Sequence, residues 1–381
     1  MNYKQSKILF PINPSIDKLY ESFWNIKYPD EKLPKVRLKL SEVLQYTPIS
    51  LYNANDVKFS SSAHHLNGIS NYVGVFILTN NKIKFYRRQK SKSSDEHYLN
   101  FITIKLNQVN TIKLKKFHHQ PTGIEILCDN NPSYIFSFDN SNICDLFIDT
   151  ISQFSNYNIT IIKTINSKEI QNVMQKWIDG TISNFEYLLF LNEQSGRSFN
   201  DLTQYPIFPW IIKDYSSKNI DINNPSFYRD LSLPIFAQTE EQQEQCMKYY
   251  LTTSKLSNDD GHCMPNYFSN VGCTLYYLVR LEPFIDEEIS FQGGSFDAAD
   301  RTFQSFDISY NIMVSYGNKG SLELIPDFFF NPETLKNINN ARFPDSILCN
   351  RVVNDVILPP WASSHRELVK IMRESLESSL T

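Results

Sequence analysis

Several groupings of residues in this chain could do chemistry. Asp297, Asp300 and Arg301 stand close together, and paired carboxylates of this kind can exchange protons or hold a cation. The same three residues read more simply as a helix cap and an ion pair with Arg301 inside a core. Ser295 follows Gly293-Gly294, as a nucleophile turn would, but Asp297 stands where the Gly-x-Ser-x-Gly pattern needs its second glycine, so that reading is rejected. His262 and Cys263 set an imidazole beside a thiol. Adjacent side chains in an extended segment point to opposite faces, and Asn258-Asp-Asp-Gly-His262 has the composition of a turn or surface loop. The pairs His64-His65 and His118-His119 lack the i, i+4 spacing of helical metal ligands. We therefore expect no catalytic residue, no metal, no cofactor and no small-molecule substrate.

One dense basic cluster remains: Lys82, Lys84, Arg87, Arg88, Lys90 and Lys92. Near an anionic membrane each such residue contributes on the order of 1 kcal/mol, and Lys113, Lys115 and Lys116 would extend the patch. Charge runs in loops are also commonly no more than solvated surface, so weak, non-specific attraction is expected rather than phosphoinositide recognition. Globally the net charge is −4 and the pI about 6.0, which gives no electrostatic reason to expect nucleic acid. Six cysteines without a CxxC pair point to free thiols in a reducing compartment. The N-terminus lacks the apolar region of a signal peptide, and no apolar run approaches the roughly 20 residues of a membrane span. A cytoplasmic protein is expected, with any membrane contact peripheral.

The elements that must position these groups fall into two units. With 27 Phe and 21 Tyr among 381 residues, ring packing should dominate both cores. Residues 1–55 hold five prolines and read as an irregular extension with one short helix at 16–24. From Val73 the period becomes two. Strands are expected at 74–79 and 82–87 about an Asn80-Asn81 turn, then at 101–106, 111–117, 123–128 and 134–138. A helix over 140–154, capped by Asn140 or Ser141, closes the series. This element order resembles a pleckstrin-homology (PH) barrel over 56–156, followed by a polar linker, 157–166. The remainder, 167–381, is mainly helical. One helix carries Ile170, Val173, Met174 and Trp177 on one face, and Ser183 with Glu186 forms a capping box for the next. Further helices are expected at 273–281 and 366–376.

In this second unit 177–215 contains Tyr205-Pro-Ile-Phe-Pro-Trp-Ile-Ile212. Pro206 and Pro209 remove two backbone donors and disfavour helix, yet so apolar a run must be buried. It should cross the interior in an extended, irregular form, with its peptide groups satisfied by other parts of the chain. Arg197, Asn200, Asp201 and Gln204 lie just upstream for that purpose.

These residues carry a resemblance. Ile182-Ser-Asn-Phe-Glu-Tyr187, Gly196-Arg-Ser-Phe-Asn-Asp201 and Gln204-Tyr-Pro-Ile-Phe-Pro-Trp210 resemble the signature of BEACH-domain proteins. Further blocks agree in order: Phe227-Tyr-Arg-Asp-Leu-Ser232, Tyr277-Leu-Val-Arg-Leu-Glu-Pro-Phe284, Phe296-Asp-Ala-Ala-Asp-Arg301, a block opening Glu323-Leu-Ile-Pro326, and Asp355-Val-Ile-Leu-Pro-Pro-Trp-Ala362, followed by Glu374-Ser-Leu-Glu-Ser378. The resemblance runs from about Asn166 to the end, and the PH-like unit ahead of it matches the family's usual pairing. It implies an α+β chain, a PH-like β-barrel with a C-terminal helix and then a mainly helical BEACH domain with an irregular extended core. It also implies a non-enzymatic scaffold or adaptor in vesicle trafficking, lysosome or vacuole regulation, autophagy or receptor signalling, peripheral on endosomal or lysosomal membranes. Protein partners would bind a groove between the two units, for which Arg197, Asn200, Asp201, Arg229 and Arg280 are candidates. A buried Arg with carboxylates would equally cross-link the irregular core. The alternative is a lipid-binding module using the basic cluster.

The chain departs from the pattern in places. Cys263-Met-Pro-Asn-Tyr-Phe-Ser269 stands where the family has histidines, and no role of those histidines carries over. The chain also stops at Thr381, where the family continues through further helices; a fragment and a reduced member are both open.

Overall fold

The computed structural model describes residues 56–90, 96–117, 120–129, 132–162, 167–256, 270–297, 301–315, 322–346 and 351–380. The expected extension 1–55 with its helix, Lys92, His118-His119, Asn258 to Ser269 and Asp300 lie outside these residues. The described chain forms two compact units that divide between Gln171 and Asn172.

The first unit is built on the period-two pattern. Its strands are β1 (Val57–Asn67), β2 (Ser70–Thr79), β3 (Lys82–Lys90), β4 (Glu96–Lys105), β5 (Val109–Phe117), β6 (Gln120–Cys128), β7 (Ser133–Phe138) and β8 (Thr160–Ile162). They form one sheet in the order β4-β3-β2-β1-β7-β6-β5-β8. β1, absent from the sequence expectation, is the pivot: Ala63 to Leu66 pairs antiparallel with both β2 and β7. Its polar run Ser60-Ser-Ser62 and His64-His65 hides the alternation that buries Phe59 and Ala63. The expected barrel is not closed, since β4 and β8 end the sheet order and no ladder among the described residues joins them. β8 lies within the expected linker and pairs parallel with β5, Ile112 opposite Ile161.

Asn80-Asn81 makes the expected β2–β3 turn, with Leu78 opposite Ile83 and the Thr79 hydroxyl donating to the Lys82 carbonyl over 3.0 Å. Helix α1 (Ser141–Ser152) follows the sheet, and the Asn140 side chain accepts from the Ile143 N–H. Cys144, Phe147, Ile148 and Ile151 seat it on a core that includes Phe76, Phe85, Ile112, Ile124, Phe136 and Phe138. Phe147 stands edge-on to Phe76 at 5.1 Å and to Phe59 at 5.4 Å. Gly74 is fixed by close approach, because a Cβ there would lie 2.1 Å from the Tyr86 carbonyl oxygen.

The second unit is helical with long irregular connections. It carries α2 (Ser167–Ile178), α3 (Asn184–Gln194), α4 (Glu240–Leu256), α5 (Val271–Leu278), α6 (Phe284–Phe291), α7 (Phe306–Val314) and α8 (His365–Leu376), with α2 straddling the division. β9 (Asp345–Ser346) and β10 (Arg351–Val352) make a small hairpin. The Ser183–Glu186 capping box starts α3 as the spacing predicts. The core is a ring lattice: Trp210 lies 5.5 Å from Tyr310 and 5.7 Å from Tyr215, and Phe303 packs on Phe306 and Phe328 at 4.9 and 5.1 Å.

The first unit holds one buried titratable group whose behaviour follows from its cage. His65 is 5% exposed, its ring lies within 6.4 Å of those of Tyr72, Phe85, Phe101, Tyr134 and Phe136, and its Nδ1 has no hydrogen-bond partner. Burial drives its pKa from 6.5 down to about 3. The fold thus holds the neutral imidazole, a contribution present above pH 6.5 and lost as the pH falls from there toward 3. In urea unfolding of the first unit, stability should drop by about 1.4 kcal/mol per pH unit over that window. His65→Phe should flatten the slope; equal slopes in the two proteins would refute the assignment.

Candidate functional site

The polar residues singled out in the second unit surround the segment 205–213, and the segment's backbone explains them. Pro206 and Pro209 have no N–H to satisfy. Several of the segment's other peptide groups are met from different parts of the chain. The Tyr205 carbonyl accepts from Arg197 Nη1 at 3.0 Å. Ile207 is clamped by the Asn192 amide, whose Oδ1 accepts its N–H and whose Nδ2 donates to its carbonyl, both at 2.9 Å. The Phe208 N–H donates to the Leu324 carbonyl at 2.8 Å, and the Ile211 carbonyl accepts from the Arg229 N–H at 2.9 Å. The Trp210 N–H donates to Glu323 Oε2 and its indole Nε1–H to the Leu322 carbonyl, each at 2.8 Å.

Arg197 is half-buried, and its burial lowers its pKa against the opposing charge of Asp201. Asn200 is half-buried beside it, its N–H donating to Ser198 Oγ. Asp201 is 6% exposed and accepts from the Thr203 N–H and hydroxyl and from Gln204 Nε2, which closes a tight turn ahead of the segment. Arg229 is buried and pairs with Glu323 Oε1 at 2.9 Å. Arg280 is fully buried at the end of α5. Its Nε donates to the Asn354 carbonyl at 2.8 Å and its Nη1 to the Phe303 carbonyl at 2.6 Å. Arg197 and Asp201 thus share one turn, whereas Arg229 and Arg280 brace separate pieces of the interior.

Sequence reasoning missed the strongest members of this set. Asn192 is the polar residue of α3 that is buried along with Phe185, and that mismatch was its signal. Glu323 and Glu377 stood inside the quoted blocks with no role. Glu377, just past α8, accepts from the Asn184 and Phe185 N–H groups at 2.7 and 3.2 Å, so the unit's last helix caps the first turn of α3. Arg373 holds that carboxylate at 2.9 Å and lies 4.0 Å from the centroid of the Phe185 ring. Asp297 and Arg301 do pair, at 2.7 Å, but on the surface rather than in the core. Ser295 is exposed after Gly293 and Gly294, both at positive φ.

In the first unit β3 presents the basic residues. Lys82 is half-buried and faces Lys105 across the β3–β4 ladder. Burial and the neighbouring charge of Lys82 lower the Lys84 pKa. Arg87 stacks on the Tyr72 ring at 4.0 Å, while Arg88 is exposed. Lys90 ends the strand. Lys115 does not extend this surface: it is buried and pairs with buried Glu125 at 3.7 Å.

Two outcomes follow from the buried bracing. Asn192→Ala leaves both peptide groups of half-buried Ile207 without their side-chain partner, and should lower the stability of the second unit by about 1–3 kcal/mol in chemical denaturation. A loss under 1 kcal/mol would show that Ile207 finds other partners. Asp327 is wholly buried and accepts from the Tyr205 hydroxyl at 3.0 Å, and burial pushes its carboxyl up to about 6. The fold therefore favours the protonated acid, and the second unit should gain stability as the pH falls from about 6 toward 3.8, opposite in sign to the first unit. Asp327→Asn should remove that dependence and raise stability at pH 7.5 by up to about 3 kcal/mol; an unchanged pH profile would contradict it.

Comparison with known proteins agrees with this division. Residues 58–152 match the PH domain associated with Beige/BEACH, and residues 175–381 match the Beige/BEACH domain itself. The chain is 43% identical over 209 residues to Beige protein homolog 1 of Saccharomyces cerevisiae, covering 54% of this chain and 10% of that protein. It is 32% identical over 314 residues to the Lysosomal-trafficking regulator of Drosophila melanogaster, covering 81% of this chain and 8% of that protein. It is 34% identical over 290 residues to Protein SPIRRIG of Arabidopsis thaliana, covering 72% and 8%. The chain thus spans a tenth or less of the length of these relatives. With a PH unit followed by a unit whose irregular core is braced by the matched residues, the chain belongs to the Beige/BEACH domain family.

Proposed function

We propose that this chain is a non-enzymatic scaffold of vesicle trafficking and of lysosome or vacuole regulation, with autophagy or receptor signalling as further settings, and that it binds protein partners through the surface of its PH-BEACH module. The observation that carries the reading is the 81% of the chain, both units included, that aligns with a protein named for lysosomal trafficking. The inward use of polar side chains in the BEACH unit supports it. Asp201, Arg229, Glu323 and Arg280 hold peptide groups and one another, which is the work of a rigid platform. Within the set of candidate partner residues, Arg197 and Asn200 keep part of their surface exposed and Asp201 closes the turn beside them, whereas Arg229 and Arg280 are buried on other partners. We also read Trp210 to Ser217 and Pro360 to Ser364 as most similar, within the family, to the factor associated with neutral sphingomyelinase activation.

A second reading, contact with anionic lipid, is favoured by the row of Lys82 and Lys84 with Lys105 opposite and Arg88 exposed beyond them. Like charges this close repel in isolation and are relieved by an anionic surface. Wild type and a Lys82→Glu, Lys84→Glu, Arg88→Glu variant, each carried through affinity capture from cell extract and flotation with anionic and neutral vesicles, separate the two. The scaffold reading expects the same captured proteins from both, with any salt-sensitive flotation lost only in the variant. Loss of the captured set together with flotation would sink it in favour of lipid contact.

A further inference from the structure

The two faces of β3 divide the basic cluster. Side chains alternate along a strand, so Lys82, Lys84 and Arg88 stand on one face and Ile83, Phe85 and Arg87 on the other. Ile83 and Phe85 belong to the core, and Arg87 ends their row half-buried. Its guanidinium carbon lies 4.0 Å from the centroid of the Tyr72 ring and 5.7 Å from that of Phe101. The two rings meet edge to face at 4.9 Å, and the buried ring of His65 lies 6.2 Å from the first and 6.0 Å from the second. A bulge brings Phe101 to this place. Phe85 pairs with Ile102 and Tyr86 with Asn100, so Phe101 is the extra residue of β4, and a bulge re-aims the side chain it carries. Phe101 stays 37% exposed, beside half-buried Tyr72 and Arg87.

This aromatic shelf holds a cation that no anion meets. A guanidinium carries five donors, and in the second unit Arg229 and Arg280 give theirs to Glu323 and to backbone carbonyls. Arg87 has no hydrogen bond and no ion pair among the described residues; its contacts are the two rings. Stacking fixes the plane of the group and leaves its edge open, the arrangement that receives a carboxylate through two parallel hydrogen bonds.

We infer that the shelf of Tyr72, Arg87 and Phe101 is a docking site for an acidic segment of a protein partner, an Asp or Glu carboxylate bound by the Arg87 fork and a neighbouring apolar side chain packed on Phe101. Arginine and aromatic side chains are the ones that anchor interfaces. The inference rests on the scaffold reading above and gives one of its partners a chemistry. A phosphate suits the shelf less well. A phosphomonoester carries about −1.5 to −2, whereas Arg87 is a single cation, Lys84 and Arg88 stand on the opposite face of β3, and burial keeps the His65 imidazole neutral. The row that suits an anionic membrane is thus a different surface from the shelf.

Short random peptides displayed on phage and panned on the full chain test the site. Wild type should enrich sequences with Asp or Glu beside an apolar residue, and Arg87→Gln should not. A synthetic peptide from the enriched pool should bind wild type about tenfold or more tighter than Arg87→Gln. Arg87→Lys, which keeps the cation and loses the fork, should bind it as weakly as Arg87→Gln does. Exchanging the acid of the peptide for its amide should cost as much on wild type and nothing further on Arg87→Gln. Equal peptide affinity in wild type and Arg87→Gln overturns the inference, as does a selection without acidic residues. Anionic vesicles should float wild type and Arg87→Gln alike; flotation lost in the variant, with no acidic peptide enriched, would assign the shelf to lipid headgroups instead. The scaffold reading fails separately, if wild type captures no protein from cell extract.

Discussion

The BEACH unit depends on one constraint: a buried backbone that is neither helix nor sheet must still have its N–H and C=O groups met. From Tyr205 to Ile212 the chain is too apolar to be exposed and too proline-broken to bond itself. Its partners therefore come from outside: a helix-borne amide at Asn192, a guanidinium at Arg197, a carboxylate at Glu323, and the backbones of Leu324 and Arg229. Because these donors and acceptors are spread along the sequence from Asn192 to Leu324, the segment ties the unit together. The rings that flank it, Phe208 against Phe185 at 5.0 Å and against Phe329 at 5.4 Å, then fill the space those bonds define.

The same constraint accounts for the buried charges. Removing a charge from water costs several kcal/mol unless it is paired and hydrogen-bonded, so an apolar exchange would be cheaper wherever packing alone mattered. Glu323 shows why it is retained. One oxygen takes the Arg229 guanidinium and the other takes a peptide N–H of the irregular segment, a double role no apolar side chain can fill. Glu377 works alike at the other end of the unit, where it accepts two N–H groups of α3 and the Arg373 guanidinium. Helix termini leave peptide donors unmet, and here sequence-distant residues meet them.

Much of this was legible in the residues, unevenly. The β2–β3 turn, the α1 cap at Asn140 and the α3 capping box were set by local spacing and appear as read. β1 was hidden because its serines and histidines mask the alternation, and His65 lies inward in an aromatic cage where a polar residue reads as surface. β8 could not be seen at all: three residues gain strand form only by pairing with β5. In the BEACH unit the spacing of Pro206 and Pro209 announced an irregular interior, but not who would satisfy it. Asn192 and Glu377 act at separations of 15 and 192–193 residues, and no local pattern encodes such a pairing.

The two units therefore differ in how sequence change acts on them. In the PH unit most peptide groups are met by neighbouring strands, so a side chain on the solvent face can vary without leaving a donor or acceptor exposed to the interior. Lys82, Lys84 and Arg88 stand on such a ladder, their peptide groups on β3 and their side chains not called on to replace it. In the BEACH unit side chains do the work that ladders do elsewhere. Each of Asn192, Arg197, Arg229, Arg280 and Glu323 holds a backbone group or a partner that holds one, so changing any of them costs stability before it touches binding. Specificity in such a unit has to reside in what the braced core presents, the exposed turns and helix faces, rather than in the polar residues by which the unit is recognised.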